Sequence, residues 1–202
     1  MEILVLIIVA VGVVCLAIGF LINSHGSQMG KSNTLKIKPS SDSQILRVEL
    51  LNPFDPKSFI GKDWSIDEED EKSLKLTEID LRKVILKTTL KDNENYVKGE
   101  ENLKRLKNGK EILLNARVFQ ALWENQQLIP EEWKEKINEK RTYVFFDGTI
   151  LQNSDGCRFV LCLYWNVRKW KWRYGWLEGV WFDNNPSAVL SNSTLNSETL
   201  VS

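Results

Sequence analysis

The densest run of chemistry-bearing side chains is the octet Lys169-Trp170-Lys171-Trp172-Arg173-Tyr174-Gly175-Trp176, where cations alternate with rings. Five of the eight tryptophans fall between Trp165 and Trp181, so the bias is local. In an extended strand successive side chains point to opposite faces. The pattern predicts Trp170, Trp172, Tyr174 and Trp176 on one face, and Lys169, Lys171 and Arg173 on the other. Two readings follow. The rings can cover neighbouring helices, with the cations solvated. Alternatively the rings are presented, and then they can stack on bases beside phosphate-tracking cations, stack on sugar rings, or anchor a protein interface. Lys169, Trp170, Lys171, Trp172, Arg173 and Trp176 are therefore the candidate binding surface.

Other chemistries are poorly supplied. The one histidine, His25, lies just beyond an apolar stretch, so no histidine-based triad can form in the rest of the chain. Cys15 sits inside that stretch. Cys157 and Cys162 lie five apart in a strand-like segment, on opposite faces, and make neither a disulfide nor a four-ligand zinc site. Gly26-Ser27-Gln28-Met29-Gly30-Lys31-Ser32 imitates a phosphate-binding loop, but its glycines are one residue too close. Phe145-Phe146-Asp147-Gly148-Thr149 imitates the nucleophile motif of haloacid-dehalogenase phosphatases, but Phe145 stands where the nucleophilic aspartate must be. Asp147-Gly148 reads instead as a bulge or tight bend. Six acids among residues 63–71 read as a solvated loop, since the spacing of a calcium loop is absent. No metal or cofactor is expected, and carboxylate-only chemistry on glycans is the one enzymatic alternative.

The elements that must carry the octet are legible from patterning. Residues 3–22 (ILVLIIVAVGVVCLAIGFLI) contain no charge. At 1.5 Å per residue they span about 30 Å, the thickness of a hydrocarbon core, which predicts a transmembrane helix. A cleaved signal peptide fits less well, because no cation precedes the run and no small-residue cleavage site follows it. Lys31, Lys36 and Lys38 follow the helix and none precedes it, which places the remainder on the cytoplasmic side. Residues 23–43, rich in Ser, Asn, Gly and Lys, read as a flexible linker, and 191–202 as a polar tail. Between them lies a domain over 44–190. Lys plus Arg number 27 and Asp plus Glu 27, so no overall pull toward polyanions follows, and any such pull must be local.

Within this domain a strand is expected in 44–52, and a mixed pattern runs from Leu74 to Leu86. A short helix is expected from Glu100 to Lys107. Asn115 should cap a helix over 116–125, and Pro130 should start another reaching about Glu139. From Thr142 the period becomes two. Runs at 143–151, 158–165 and 170–176, with loops at 153–156 and 166–169 and a short fourth strand at 180–183, predict an antiparallel meander over 142–183. The fold class is α+β: a transmembrane helix, a linker, then short helices packed on a small antiparallel sheet.

Two stretches together resemble a recurrent group of short, uncharacterised bacterial proteins, mostly from candidate-phylum genomes. One is LTEIDLRKV…GEENLKRLK…ARVFQALWEN within 76–125. The other is LIPEEWKEK…YVFFDGTIL…RFVLCLYW…WKWRYGWL…NNPSAVL within 128–190. The resemblance covers about residues 59–190 and implies a bacterial origin and one structural unit. It implies no activity. The residues themselves lead to a membrane-anchored, non-catalytic binding module that engages a protein partner. Single-stranded nucleic acid or glycan are the alternative ligands of the aromatic–basic strand.

Overall fold

The computed structural model describes residues 45–48 and 53–191. The expected transmembrane span, linker and polar tail lie outside the described residues, as does the loop-like glycine motif at 26–32. Among the described residues no helix is long and apolar enough to cross a membrane. The domain is mixed α+β, with few helices and sheets of several strands.

The Trp-rich meander is the centre of a larger sheet. Strands β8 (Thr149–Asn153), β9 (Arg158–Asn166) and β10 (Lys169–Trp176) follow one another antiparallel. The first expected run breaks at Asp147-Gly148 into β7 (Val144–Phe145) and β8, and both pair with β9. Eight strands join in this sheet. Its main path runs from β2 (Trp64–Glu69) through β8, β9, β7 and β12 (Ser187–Leu190) to β4 (Val84–Lys87), with β10 on β9 and β6 (Ile112–Leu113) on β12. One pairing, β7 with β12, is parallel. The sheet is thus neither small nor wholly antiparallel. Its outer strands come from residues whose short apolar runs carry no clear period of two.

Both faces of the sheet are covered, which explains the near-continuous apolar run Phe159 to Leu163. On one face lie Leu161, Leu163 and Trp170, packed with Val118, Phe119 and Leu122 of helix α4 (Ala116–Glu124). The hairpin of β1 (Ile45–Arg47) with β3 (Glu78–Asp80) and the single-turn α1 (Pro56–Phe59) also close this side. The other face buries Val160, Cys162 and Phe145 beneath Leu103 and Leu106 of α3 (Gly99–Lys107). Beside them is the arm made by β5 (Val97–Lys98) and β11 (Val180–Trp181). The expected fourth strand therefore leaves the meander and pairs with β5. Gly175 on β10 permits this second core: a Cβ there would sit 2.5 Å from the Phe145 ring, which stacks on Trp181 with centroids 4.0 Å apart.

Local signals explain several elements. The Asn115 side chain accepts a hydrogen bond from the Val118 amide (3.2 Å) and caps α4. Helix α3 carries Glu100 and Glu101 in its first turn and Lys104, Arg105 and Lys107 in its last, matching its dipole. The helix expected from Pro130 stops after one 3₁₀ turn, Glu131–Lys134. Only Trp133 in that turn is buried. Asn138 and Glu139 then take left-handed backbone (φ 48° and 62°) to close a two-residue turn between Ile137 and Lys140. The acidic run at 63–71 is not a loop. Residues 64–69 form the edge strand β2 and Glu71 starts α2 (Glu71–Leu74), with Asp67 and Glu68 held by Arg158 reaching over from β9.

Candidate functional site

The structure splits the octet by face. Trp170 is 4% exposed and meets Trp165 edge-on, with centroids 5.5 Å apart. Trp172 is half-buried against Phe59 (5.0 Å) and Phe119 (6.3 Å). Tyr174 lies between Trp64 and Phe159, and Trp176 is half-buried, with its indole N–H lacking a hydrogen-bond acceptor. Three of these rings, Trp170, Trp172 and Tyr174, belong to or pack on the core beneath α4. Lys169 and Arg173 are exposed and Lys171 half-buried on the opposite face, where their cross-strand neighbours are Asn166, Cys162 and Tyr164.

That opposite face carries its own aromatic–cation cluster, which alternation within β10 alone does not reveal. Tyr143 and Tyr164 lie with ring centroids 5.1 Å apart. The Arg173 guanidinium sits 5.1 Å over the Tyr143 ring, and that of Arg141 lies 5.4 Å over Tyr164. Arg141 also donates to the Asn166 side chain (3.1 Å). Burial, with Tyr143 beside it, pushes the Tyr164 hydroxyl up, so it stays protonated. No ion pair among the described residues engages Lys169, Lys171, Arg173 or Arg141. Cationic faces over rings are weakly attractive where solvated, so the guanidiniums are positioned and still open to an anion. The β9–β10 hairpin thus ends in a rim of positive charge on a rigid base. Its turn holds exposed Val167 in left-handed backbone (φ 59°).

A second locus lies at the Asp147-Gly148 turn. Gly148 fits there because a Cβ would strike the Leu113 and Leu114 backbone. Its amide donates to Leu114 O (2.9 Å), and its carbonyl accepts from the Asp70 amide (2.8 Å). This pins the turn between β2 and β6 and drives Asp147 inward. Asp147 is 2% exposed, and neither carboxylate oxygen has a hydrogen-bond partner. Burial pushes its carboxyl up to about 6, against a smaller opposing pull from the nearby Ser187 hydroxyl. That hydroxyl is itself buried without a partner in hydrogen-bonding geometry. Asp147 lines a cleft of about 350 Å³ whose walls include Glu69, Asp70 and Glu111 with Leu106, Leu113 and Ile150.

The acidic run organises the mouth of this cleft. A bulge in β2 between Ile66 and Glu68 lets consecutive side chains reach one partner. Arg158 donates to Asp67 (2.8 Å), Glu68 (2.7 Å) and Glu100 (2.7 Å), tying β9 to the edge strand and to α3. Glu68 also pairs with Lys107, which holds its carboxyl below the ordinary range. The sequence signal for the cleft is an acid embedded between phenylalanines and Ile150. Turn preference accounts for Asp147 equally well, so the sequence alone does not single it out.

Cys157 and Cys162 form no disulfide, and burial pushes the Cys162 thiol up to about 12. Among the described residues no three His, Cys, Asp or Glu side chains converge to hold a metal ion. Comparison with protein-family models, curated proteins and solved structures finds no match to this chain.

Proposed function

We propose that the chain is a single-pass membrane-anchored, non-catalytic binding module that captures an acidic protein partner through the cationic rim of the β9–β10 hairpin. Residues 3–22 hold it in the bilayer with the domain on the cytoplasmic side. One observation carries the reading. Among the described residues Lys169, Lys171 and Arg173 have no carboxylate partner, and they lie on the face of β10 opposite Trp170 and Trp172, which belong to or pack on the core. Such a strand presents charge on a preorganised base, which reduces the entropy lost on binding.

Nucleic acid and glycan fit this surface less well. Stacking needs open ring faces. Trp170 is buried, Trp172 is packed on phenylalanines, and the rings of Tyr143 and Tyr164 lie under guanidiniums. The test uses full-length protein in detergent, with an acidic polyglutamate peptide and a single-stranded oligonucleotide as probes, each at two salt concentrations. The wild type should bind the peptide. The triple variant Lys169→Ser, Lys171→Ser, Arg173→Ser should lose this binding while its melting midpoint stays unchanged. Equal capture by the triple variant sinks the reading. Oligonucleotide binding that exceeds peptide binding and falls more steeply with salt transfers the surface to nucleic acid. Recovery of the protein in the water-soluble fraction, or a mature chain beginning after Asn23, removes the tether.

A further inference from the structure

The strand that carries the cations is also a free edge of the sheet. We propose that the partner adds an extended segment to the outer edge of β10, with acidic side chains at alternate positions facing Lys169, Lys171 and Arg173. The proposal rests on the reading of the rim as the capture surface and names the form of the captured chain. Among the described residues β10 pairs with β9 on one side and with no strand on the other. The Leu177 amide donates to Arg158 O (3.0 Å), which fixes the alternation of the ladder. Lys171, Arg173 and Gly175 turn their amides and carbonyls toward β9. Trp172 and Tyr174 therefore turn theirs outward, and no hydrogen bond among the described residues takes them up.

This edge is regular where another is blunted. β10 keeps continuous register with β9 from Lys169 to Trp176, whereas the edge strand β2 is interrupted by a bulge between Ile66 and Glu68. A bulge twists an edge away from further pairing, and β10 has none. The open stretch is bounded at both ends. Trp170 is buried, and the Trp176 carbonyl already accepts from the Gly179 amide (3.1 Å) and the Trp181 indole N–H (3.3 Å). Between these limits Arg173 is exposed, and Lys171, Trp172 and Tyr174 are half-buried. The N–H and C=O groups of Trp172 and Tyr174 are thus the backbone sites that an added strand meets.

Charge decides the occupant. Side chains directly opposite one another on paired strands lie about 5 Å apart, where opposite charges attract and like charges repel. Two copies of this chain joined β10 to β10 would set Lys171 and Arg173 against the same cations, and β10 holds no carboxylate to relieve them. Cations along an edge therefore keep identical chains apart. A segment with Asp or Glu at every second residue instead places its carboxylates on the face of Lys169, Lys171 and Arg173. Its intervening residues fall on the side of Trp172 and Tyr174, beside Phe59 and Trp64, where apolar side chains are favoured. Main-chain bonds would supply affinity, and the alternation of acid and hydrocarbon would supply selectivity.

Full-length protein in detergent is titrated with peptides of equal length and charge. One alternates Glu with Val, one holds the same residues in two blocks, and two are alternating peptides N-methylated at every valine or at every glutamate. The alternating peptide should bind roughly tenfold more tightly than the blocked one. Methylation should cost a similar factor on whichever set of amides faces β10: the valines for antiparallel addition, the glutamates for parallel. Binding should also slow hydrogen exchange at the Trp172 and Tyr174 amides of the wild type, a readout that needs no variant. Equal affinity for alternating and blocked peptides, undiminished binding of both methylated forms, or unchanged exchange at these amides overturns strand addition and leaves the rim standing. Equal capture of the alternating peptide by the triple variant Lys169→Ser, Lys171→Ser, Arg173→Ser overturns the rim itself. Slow exchange at the same amides in peptide-free protein that sediments as a dimer gives the edge to a second copy and overturns the assignment.

Discussion

Replacing Asp147 with Asn should make the protein more stable at neutral pH, and the gain should vanish in acid. Asn keeps the shape and polarity of the protonated carboxyl but cannot ionise. The native carboxyl is pushed from 3.8 up to about 6 by burial. A rise of about two pH units, at about 1.4 kcal/mol each, means that the ionised form costs the fold about 3 kcal/mol. With Asp147 only 2% exposed, solvent screens little of this. As pH falls from 7, the native chain takes up the proton near pH 6 and the unfolded chain only near 3.8. Between those values the native state binds more protons, so this group's contribution to stability rises as pH falls. Other carboxyls act oppositely. Glu94 is held down to about 2, chiefly by its hydrogen bond from Arg105, and Glu111 is lowered by Lys87, so their contributions are lost in acid. Subtracting wild type from variant at each pH cancels these shared terms. The assay is urea unfolding followed by tryptophan fluorescence from pH 7.5 to 4. The variant should lead by about 3 kcal/mol at pH 7 and by under about 1 kcal/mol at pH 4. A constant gap, or a variant weaker than wild type at pH 7, would refute the unpaired buried charge.

The remaining predictions concern the strand and its turn. Val167→Asn should raise stability by about 1 kcal/mol, because a β-branched residue is costly at φ 59° and Asn tolerates that backbone. The side chain is 81% exposed, so little packing is lost; a lowered melting midpoint would contradict this. Trp172→Ala should destabilise by about 3 kcal/mol, since the ring packs on Phe59 and Phe119. A near-neutral effect in denaturant titration would mean that this ring is presented to solvent.

Local chemistry made part of the architecture readable. Asn115 as a cap, the hairpin loops at 153–156 and 166–169, and the bend at Asp147-Gly148 each rest on a few adjacent residues, and each is where the pattern places it. Long-range pairing was not readable. β12 lies between β4, β6 and β7, and nothing in Ser187–Leu190 specifies partners 42 to 106 residues away. The helix beyond Pro130 failed because burial of Trp133 and the left-handed pair Asn138-Glu139 overrode weak local preference. For the octet 169–176, alternation separated rings from cations, and helix α4 decided which face is core. Tyr143, Tyr164 and Arg141 joined the cations only through cross-strand register.

A net charge of zero hides a segregation that β9 makes plain. Its first residue, Arg158, is held by Asp67, Glu68 and Glu100 beside the acidic cleft. Its last, Asn166, pairs with Lys169 and accepts from Arg141 at the cationic rim. Nine residues of strand separate those ends by roughly 26 Å. This is about three times the screening length at physiological salt, so neither end neutralises the other through solvent. The acidic end and the cationic rim therefore respond to pH and to an anion with little direct coupling. Removing Lys169, Lys171 and Arg173 should leave the pH-dependent stability gain of Asp147→Asn unchanged, and Asp147→Asn should leave capture of an acidic peptide unchanged. Strong cross-effects at physiological salt would mean that the two ends share one conformational switch, and that the separation along β9 does not isolate them.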